Sequence, residues 1–263
     1  MTISRELIII LRLLLRPASL PLLITCSRHE RLKYIERCLK SSIESMKHYL
    51  MDDIPNLDLP SFEPYWLEHY QFVSSEQFNG IADLTGITVH NLTNFTINKV
   101  EVNTNVTWIK LEAFFPSIQF FATYDIQATI FGKYLRKRGR TVIGNFRGVS
   151  INVTIEGEYR VRPKNKEEHF KVTNVPVKLS INEATFYLNN NKVHNLLIQE
   201  INSLLASNRK IVAKKLVPEL QKFASKIIRR IAVNMYSNIP MRLLMRDYNF
   251  GDDEDIELSI IDN

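Results

Sequence analysis

The sequence lacks the short motifs that organise most catalytic sites. It contains no Gly-x-Ser-x-Gly turn, no Walker glycine loop and no dinucleotide-binding fingerprint. Its six histidines are scattered along the chain, and none stands at the spacing that metal sites use. Gly144 and Gly148 lie between predicted strands, where a bend in a curved sheet explains them. We therefore expect no enzyme activity, no cofactor and no metal site.

Long apolar runs and a strong charge bias are also missing. The N-terminal apolar stretch is interrupted by Arg12 and Arg16 before it reaches the roughly twenty residues that a membrane span needs. The formal charge of +6 is mild, and no nucleic-acid-reading motif or base-stacking aromatic cluster accompanies it. We expect no nucleic-acid partner and no stable membrane insertion.

The N-terminus has the outline of an export signal. A basic start at Arg5, a short apolar run over 7–15 and small residues after it are typical of a signal peptide. Glu6 and Arg12 interrupt this pattern, which leaves an amphipathic N-terminal helix or a misassigned first exon as alternatives. We assign 1–19 to an atypical signal peptide, 20–250 to one folded domain and the acidic segment 251–263 to a disordered tail.

Four sequons of the form Asn-x-Thr occur at Asn91, Asn94, Asn105 and Asn152. Such sequons matter only in the secretory pathway, so several of them favour an extracellular protein. Asn91 and Asn94 are too close together for both to carry glycans comfortably. We therefore take Asn91, Asn105 and Asn152 as candidate glycosylation sites, with Asn152 on the outer face of a strand.

The chain has two cysteines, Cys26 and Cys38. Two cysteines alone are more often free buried thiols than a bridge. The export signals favour a disulfide instead, because a disulfide persists in the oxidising compartments that exported proteins reach. A bond between these two would constrain the unfolded chain by about 3 kcal/mol.

Two segments have the apolar period of a helix. The first runs from Cys38 to Met51 and ends at a proline-rich stretch, which we interpret as an extended connection reaching Tyr70. The second runs from Lys192 to Met235 and, if continuous, predicts one helix of about 65 Å. Pro218 should kink it.

The middle of the chain alternates apolar and polar residues, as a strand with two different faces does. The alternation is strongest from Trp108 to Ile130, and we place a hairpin tip at the charged run 136–140. Returning strands follow at 149–155 and 175–181, and short connections predict antiparallel pairing. The predicted fold is α+β: a highly curved antiparallel sheet wraps a long C-terminal helix and encloses a hydrophobic tunnel.

Short motifs in a fixed order resemble the takeout and haemolymph juvenile-hormone-binding family of the tubular lipid-binding superfamily. Those motifs cover nearly all of the presumed mature chain, and they are Cys38-Leu39-Lys40-Ser41-Ser42, Gly86 to Phe95, Phe115-Pro116 before Tyr124-Asp125, Leu216-Val217-Pro218 and Ser237-Asn238-Ile239-Pro240. Asn91 stands where the family has glycine, and Met241-Arg242 stands where Tyr-Asp is usual. With a single cysteine pair the chain is more similar to takeout than to the juvenile-hormone carriers. The resemblance implies a secreted insect protein that holds a fatty acid, a terpenoid hormone or a similar lipid in an internal tunnel.

We predict that the alternate residues of the central strands that face inward, together with two helix residues, line this tunnel. The candidate tunnel residues are Ile109, Leu111, Ala113, Phe115, Ile118, Phe120, Ala122, Tyr124, Ile126, Ala128, Ile130, Val153, Ile155, Leu197 and Leu204. Tyr124 is the inward-facing polar candidate, and Thr129 belongs to the opposite, water-facing parity.

The pattern leaves one alternative open. The same alternation would arise if side chains filled the interior, and the protein would then be a membrane-surface or protein-binding module without a ligand. In that case the basic residues of the long helix would contact anionic lipid rather than merely solvate the helix. The two readings differ in whether small residues such as Ala113, Ala122 and Ala128 leave a void. The sequence identifies no receptor or delivery partner.

Overall fold

The computed structural model describes residues 25–54, 59–73, 79–103, 105–130, 132–163, 166–189 and 196–246. The predicted signal peptide (1–19) and acidic tail (251–263) lie outside the described residues. In chain order the elements are β1 (Cys26–Ser27), α1 (Leu32–Ser45), a 3₁₀ helix (Met46–Met51), β2 (Tyr65–Val73), β3 (Asn79–His90), β4 (Thr96–Val102), β5 (Trp108–Ile130), β6 (Lys133–Val161), β7 (Glu168–Asn174), β8 (Val177–Leu188), α2 (Leu196–Ser207), α3 (Arg209–Asn238), α4 (Met241–Leu244) and β9 (Met245–Arg246).

Seven strands form one antiparallel sheet in the order β2-β3-β5-β6-β7, with β4 also beside β5 and β8 beside β6. The two central strands are 23 and 29 residues long, whereas an ordinary strand has about 5–6 residues. Strand twist accumulates along such a length and curls the sheet. The result is a half-barrel with a long C-terminal helix, as predicted.

The turn between β5 and β6 is not at the predicted tip. Apart from one bulge between Tyr124 and Ile126, the strands pair up to Ile130 and Lys133, and Gly132 makes the turn with a φ of 78°. The charged run 136–140 lies inside β6. Charged residues need contact with water, and the solvent-facing side of a strand provides it as well as a turn does. The left-handed φ of the turn residue is the more specific signal, because it favours glycine.

The predicted extended connection that reaches Tyr70 is wrong in its second half, because β2 begins at Tyr65. The register of β3 shifts near Gly86, which has a φ of 58°. Before the shift one parity of β3 residues points inward, and after it the other parity does. In the neighbouring β2 the residues that face inward change parity with it, from Leu67 to Tyr70. This break in the two-residue period hides the strand from the sequence pattern.

The predicted single C-terminal helix is two helices. α2 ends at Ser207, and α3 starts at Arg209. At the break the Leu204 carbonyl accepts two hydrogen bonds from Asn208, one from its side chain at 2.8 Å and one from its backbone N–H at 3.1 Å. Pro218 lies inside α3, which continues through it. The N-terminal helix also differs, since α1 begins at Leu32 and its final turns are 3₁₀.

Helix α3 lies against the sheet edge formed by β7 and β8. Two side chains fix its position: the Gln221 Oε1 accepts from the Leu179 backbone N–H at 3.1 Å, and the Ser225 hydroxyl donates to the Val175 carbonyl at 3.2 Å. The buried residues fall into two main clusters. One surrounds α1 and the C-terminal half of α3, and the other surrounds α2 and the N-terminal half of α3.

Cys26 and Cys38 form a disulfide, with their Cα atoms 5.8 Å apart. Cys26 is almost fully buried, and its strand pairs in parallel with Met245 of β9. The bridge therefore ties α1 to a short two-stranded sheet that also holds the C-terminal end of the described chain.

We predict that replacing both cysteines with alanine lowers the free energy of unfolding by about 3 kcal/mol, because the bond closes a twelve-residue separation in the unfolded chain. Urea unfolding of the wild type with and without reductant measures this. The reduced wild type should unfold like the double variant, and identical midpoints for oxidised wild type and variant would contradict the prediction.

Candidate functional site

A cavity of about 640 Å³ lies between the concave face of the sheet and helix α3. Its wall is built from β2, β3, β5, β6 and β8 on one side and from α2 and α3 on the other. Small-molecule sites in proteins usually measure roughly 300–1,000 Å³. The cavity is thus large enough to hold a whole small ligand.

The cavity is long rather than compact. On β5 alone its wall runs from Phe115 to Ile130, a stretch on the order of 40–50 Å at about 3.3 Å per residue. One end lies beside Leu50 and Phe95, near the 3₁₀ helix, and the other beside Leu205 of α2. A volume spread over this length suits a chain-like ligand better than a bulky one.

Aromatic rings form the middle of the wall. Phe120, Phe146 and Phe186 pack against one another with ring centroids 5.7–5.9 Å apart. Gly144 allows this arrangement, since a Cβ atom there would stand 1.9 Å from the Phe120 ring. The mutual packing fixes the ring positions, so this part of the wall is preformed.

The structure places the predicted tunnel residues in three groups. Those on the cavity wall are Phe115, Ile118, Phe120, Tyr124, Ile126 and Ile130. Those packed in the same cluster, but off the wall, are Ala122, Ala128 and Leu197. Those in the cluster around α1 are Ile109, Leu111, Ala113, Val153 and Ile155. Leu204 is half-buried on α2, whereas its neighbour Leu205 lines the cavity.

The sequence pattern does not predict much of the cavity wall, because those residues lie in elements whose alternation of apolar and polar residues is weak or irregular. Tyr70 and Phe72 belong to the unpredicted part of β2, and Leu84 belongs to the early half of β3. The α3 contribution was visible as the apolar stripe that includes Leu216 and Leu220. Strand parity identifies the inner face, but it does not identify which part of that face the helix covers closely.

Few polar groups line the cavity. Asn79, Thr129 and Lys215 are the lining residues that are exposed, and they mark where the cavity meets solvent. Asn79 pairs directly with Thr129 across β3 and β5. Thr129 therefore lies on the rim, although strand parity assigns it to the water-facing side, because β5 ends one residue later.

Tyr124 is a buried residue of the wall with a polar hydroxyl group. It is 2% exposed, and its hydroxyl has no hydrogen-bond partner among the described residues. Burial raises the pKa of the Tyr124 hydroxyl. The positive charge of Arg140 lowers this pKa, but its effect is smaller than that of burial. The hydroxyl is therefore protonated at neutral pH and available as a donor.

The three candidate glycosylation sites differ in exposure. Asn105 is exposed in the connection between β4 and β5. Asn152 is half-buried on β6 between its cross-strand partners Glu112 and Lys178. Asn91 is half-buried, has a φ of 66°, and its backbone N–H donates to Glu63.

Within the described ranges no group of three or more His, Cys, Asp or Glu side chains is placed to hold a metal ion. In the same part of the chain, no helix combines the length and apolar character that crossing a membrane would require.

A family model described as haemolymph juvenile hormone binding protein matches residues 7–246 of this chain. A search of curated proteins found no match. Among solved structures, the crystal structure of Takeout 1 from Epiphyas postvittana matches with a TM-score of 0.73 and 14% identity. The match covers 84% of this chain and 99% of that one. At this identity the likeness concerns the fold.

A lipopolysaccharide binding protein also matches, with 14% identity over 75% of this chain and 38% of that one. Its TM-score of 0.31 is too low to support an argument.

The cavity predicts opposite effects for two neighbouring alanines. Ala82 lines the cavity, so Ala82→Phe should change the free energy of unfolding by less than about 1 kcal/mol, since the ring has space. Ala128 is buried against Gly80 and the fully buried Leu135, so Ala128→Phe should cost about 1–3 kcal/mol. Urea unfolding compares the two variants. Equal losses would show that no usable space adjoins Ala82.

Proposed function

The chain belongs to the haemolymph juvenile hormone binding protein family, and on that basis we propose that it is a secreted carrier of a small hydrophobic ligand. The ligand would occupy the cavity between the sheet and α3. The classes that fit are a fatty acid, a terpenoid hormone or a similar lipid. The proposed role is binding, with no catalytic step and no cofactor.

The observation that carries this proposal is the size of the cavity together with its apolar wall. An apolar wall of this kind offers water few hydrogen-bond partners. An apolar ligand that buried several hundred square ångströms there would gain on the order of 10 kcal/mol at about 25 cal/mol per Å². Lost translational and rotational freedom offsets about 4 kcal/mol or more of this. The roughly 6 kcal/mol that remain correspond to a dissociation constant of tens of micromolar.

The alternative use of the fold is a surface-binding module with a filled interior. Its core would close on itself, as well-packed cores do, and would leave few voids larger than a water molecule. A cavity of about 640 Å³ supports the carrier instead. The basic residues of α3 then need no lipid partner, and some already pair within the fold, as Arg209 does with Glu183 and Lys222 with Glu219.

Three features support an extracellular location. The family is named for haemolymph. The Cys26–Cys38 bond is of a kind that oxidising compartments maintain. Asn105 presents a sequon at the surface. Asn152 lies on the outer side of the sheet, because Ile151 and Val153 pack inward.

A fluorescent fatty-acid probe tests the carrier function. We expect saturable binding to the wild type with one site per chain, and at least tenfold weaker binding to Ala82→Phe, whose ring would occupy ligand space. Ala128→Phe is the matched control, since it should lose stability but retain binding while folded. Absence of saturable binding to the wild type would contradict the carrier function, as would equal affinity of wild type and Ala82→Phe.

Expression of the full-length chain in an insect secretory host tests the proposed location. We expect the protein in the medium, with glycans at Asn105 and Asn152, because both side chains point away from the interior. Peptide mapping by mass spectrometry reads the occupancy. Retention of the protein inside the cells with both sites bare would contradict secretion, and a bare Asn152 alone would contradict its accessibility.

A further inference from the structure

Tyr124 on the cavity wall has two cations beside it on β6, Lys137 and Arg140, and the apolar wall explains neither the hydroxyl nor these charges. Burying a hydroxyl without a partner destabilises a protein, and buried polar groups are nearly always satisfied. An orphan hydroxyl on a cavity wall therefore indicates a partner that arrives with the ligand.

A bulge in β6 determines what surrounds Tyr124. Tyr124 pairs with Arg140, and Ile126 pairs with Lys137, so β6 holds one extra residue opposite Asp125. Directly paired residues share a face of the sheet. Arg140 and Lys137 consequently share the inner face with Tyr124 and Ile126.

The neighbouring Arg138 confirms this geometry from the other side. It pairs with Asp125, with the Nε and Oδ2 atoms 3.0 Å apart, and its side chain is 89% exposed. Arg138 thus lies on the outer face, and the bulge separates it from the two cations that flank it.

Arg140 and Lys137 are both half-buried, and neither forms an ion pair among the described residues. Asp125, which lies opposite the bulge, is already paired with Arg138. A half-buried cation without a counter-charge is unfavourable, and an anion supplied from outside would relieve it.

We propose that Tyr124 and Arg140 anchor the carboxylate of a long-chain acid, whose apolar chain lies along the cavity toward Phe115. This inference rests on the proposed carrier function and specifies its ligand class. A carboxylate accepts only, whereas the tyrosine hydroxyl and the guanidinium both donate. Charge-assisted bonds of this kind are the strong ones, and the planar guanidinium matches carboxylate geometry.

The position of the anchor suits an amphiphile. Tyr124 is five residues from Thr129 on the rim, or about 17 Å along the strand. Lys137 and the exposed Lys215 of the rim add positive charge on the way in. The polar head would therefore lie in the half of the cavity nearer the rim, while the chain extends into the apolar part toward Phe115.

Competition binding tests this assignment with oleate and methyl oleate, which differ only in the charged head. Both displace an uncharged fluorescent probe, so that the probe itself does not use the anchor. The variants are Tyr124→Phe and Arg140→Gln. Their matched controls are Tyr187→Phe, an exposed tyrosine on the outer face, and Arg138→Gln, the outward-facing arginine.

We expect Tyr124→Phe and Arg140→Gln each to weaken oleate binding about tenfold or more, and methyl oleate binding less than about threefold. The controls should match the wild type. The thermal midpoint of unliganded Tyr124→Phe should be unchanged or higher, because the variant removes an unsatisfied buried hydroxyl. That readout separates a lost anchor from a damaged fold.

Wild-type-like oleate affinity in both variants would overturn the anchor and leave the carrier function standing. Equal losses for oleate and its ester would overturn the carboxylate as the recognised group. Failure of the wild type to bind the probe or either lipid would instead overturn the carrier function, and the anchor with it.

Discussion

Continuous pairing of β5 with β6 is the constraint on which the rest of the structure depends. The two strands stay hydrogen-bonded from Trp108–Glu156 to Ile130–Lys133, with one bulge between Tyr124 and Ile126. Over this length the twist of each strand must be accommodated, and the sheet does so by curling. Every other strand extends this curved surface, and every helix in contact with it must fit a concave face.

The cavity follows from a mismatch between that face and the helix that covers it. Gln221 and Ser225 hold α3 at the β7–β8 side of the sheet. The opposite side, formed by β2 and β3, approaches α3 through large side chains, as where the Tyr70 and Phe223 rings meet edge to face at 4.7 Å. Between these contacts α3 does not fill the concave face, and space remains. The buried clusters around α1 and α2 fill much of the remaining interior, and the cavity meets solvent at Asn79, Thr129 and Lys215.

The sequence predicts the parts of this arrangement that have a regular period. Alternation over 108–130 predicts β5, the three-to-four spacing predicts the helix that passes Pro218, and the Cys26–Cys38 bridge agrees with the export signals. It fails where regularity is broken by a single residue. At Gly86 the inward-facing residues of β3 change from one parity to the other, and the same change in β2 keeps that strand from being predicted. Asn208 separates the predicted single helix into two.

The site is less predictable than the fold, because lining a cavity depends on curvature as well as on parity. Phe120 and Ala122 share one face of β5, yet the first lines the cavity and the second is packed away from it. Arg140 keeps the inward parity of Val142, but Lys137 shares that face only because of the bulge, which no period in the sequence indicates.

Native mass spectrometry of the full-length chain secreted from insect cells tests the central claim, that the cavity exists to hold an apolar molecule. The account predicts a species heavier than the processed chain by one small lipid, which organic extraction removes and identifies. A single species at the mass of the empty chain, with no lipid in the extract and no uptake of added fatty acid, would contradict it.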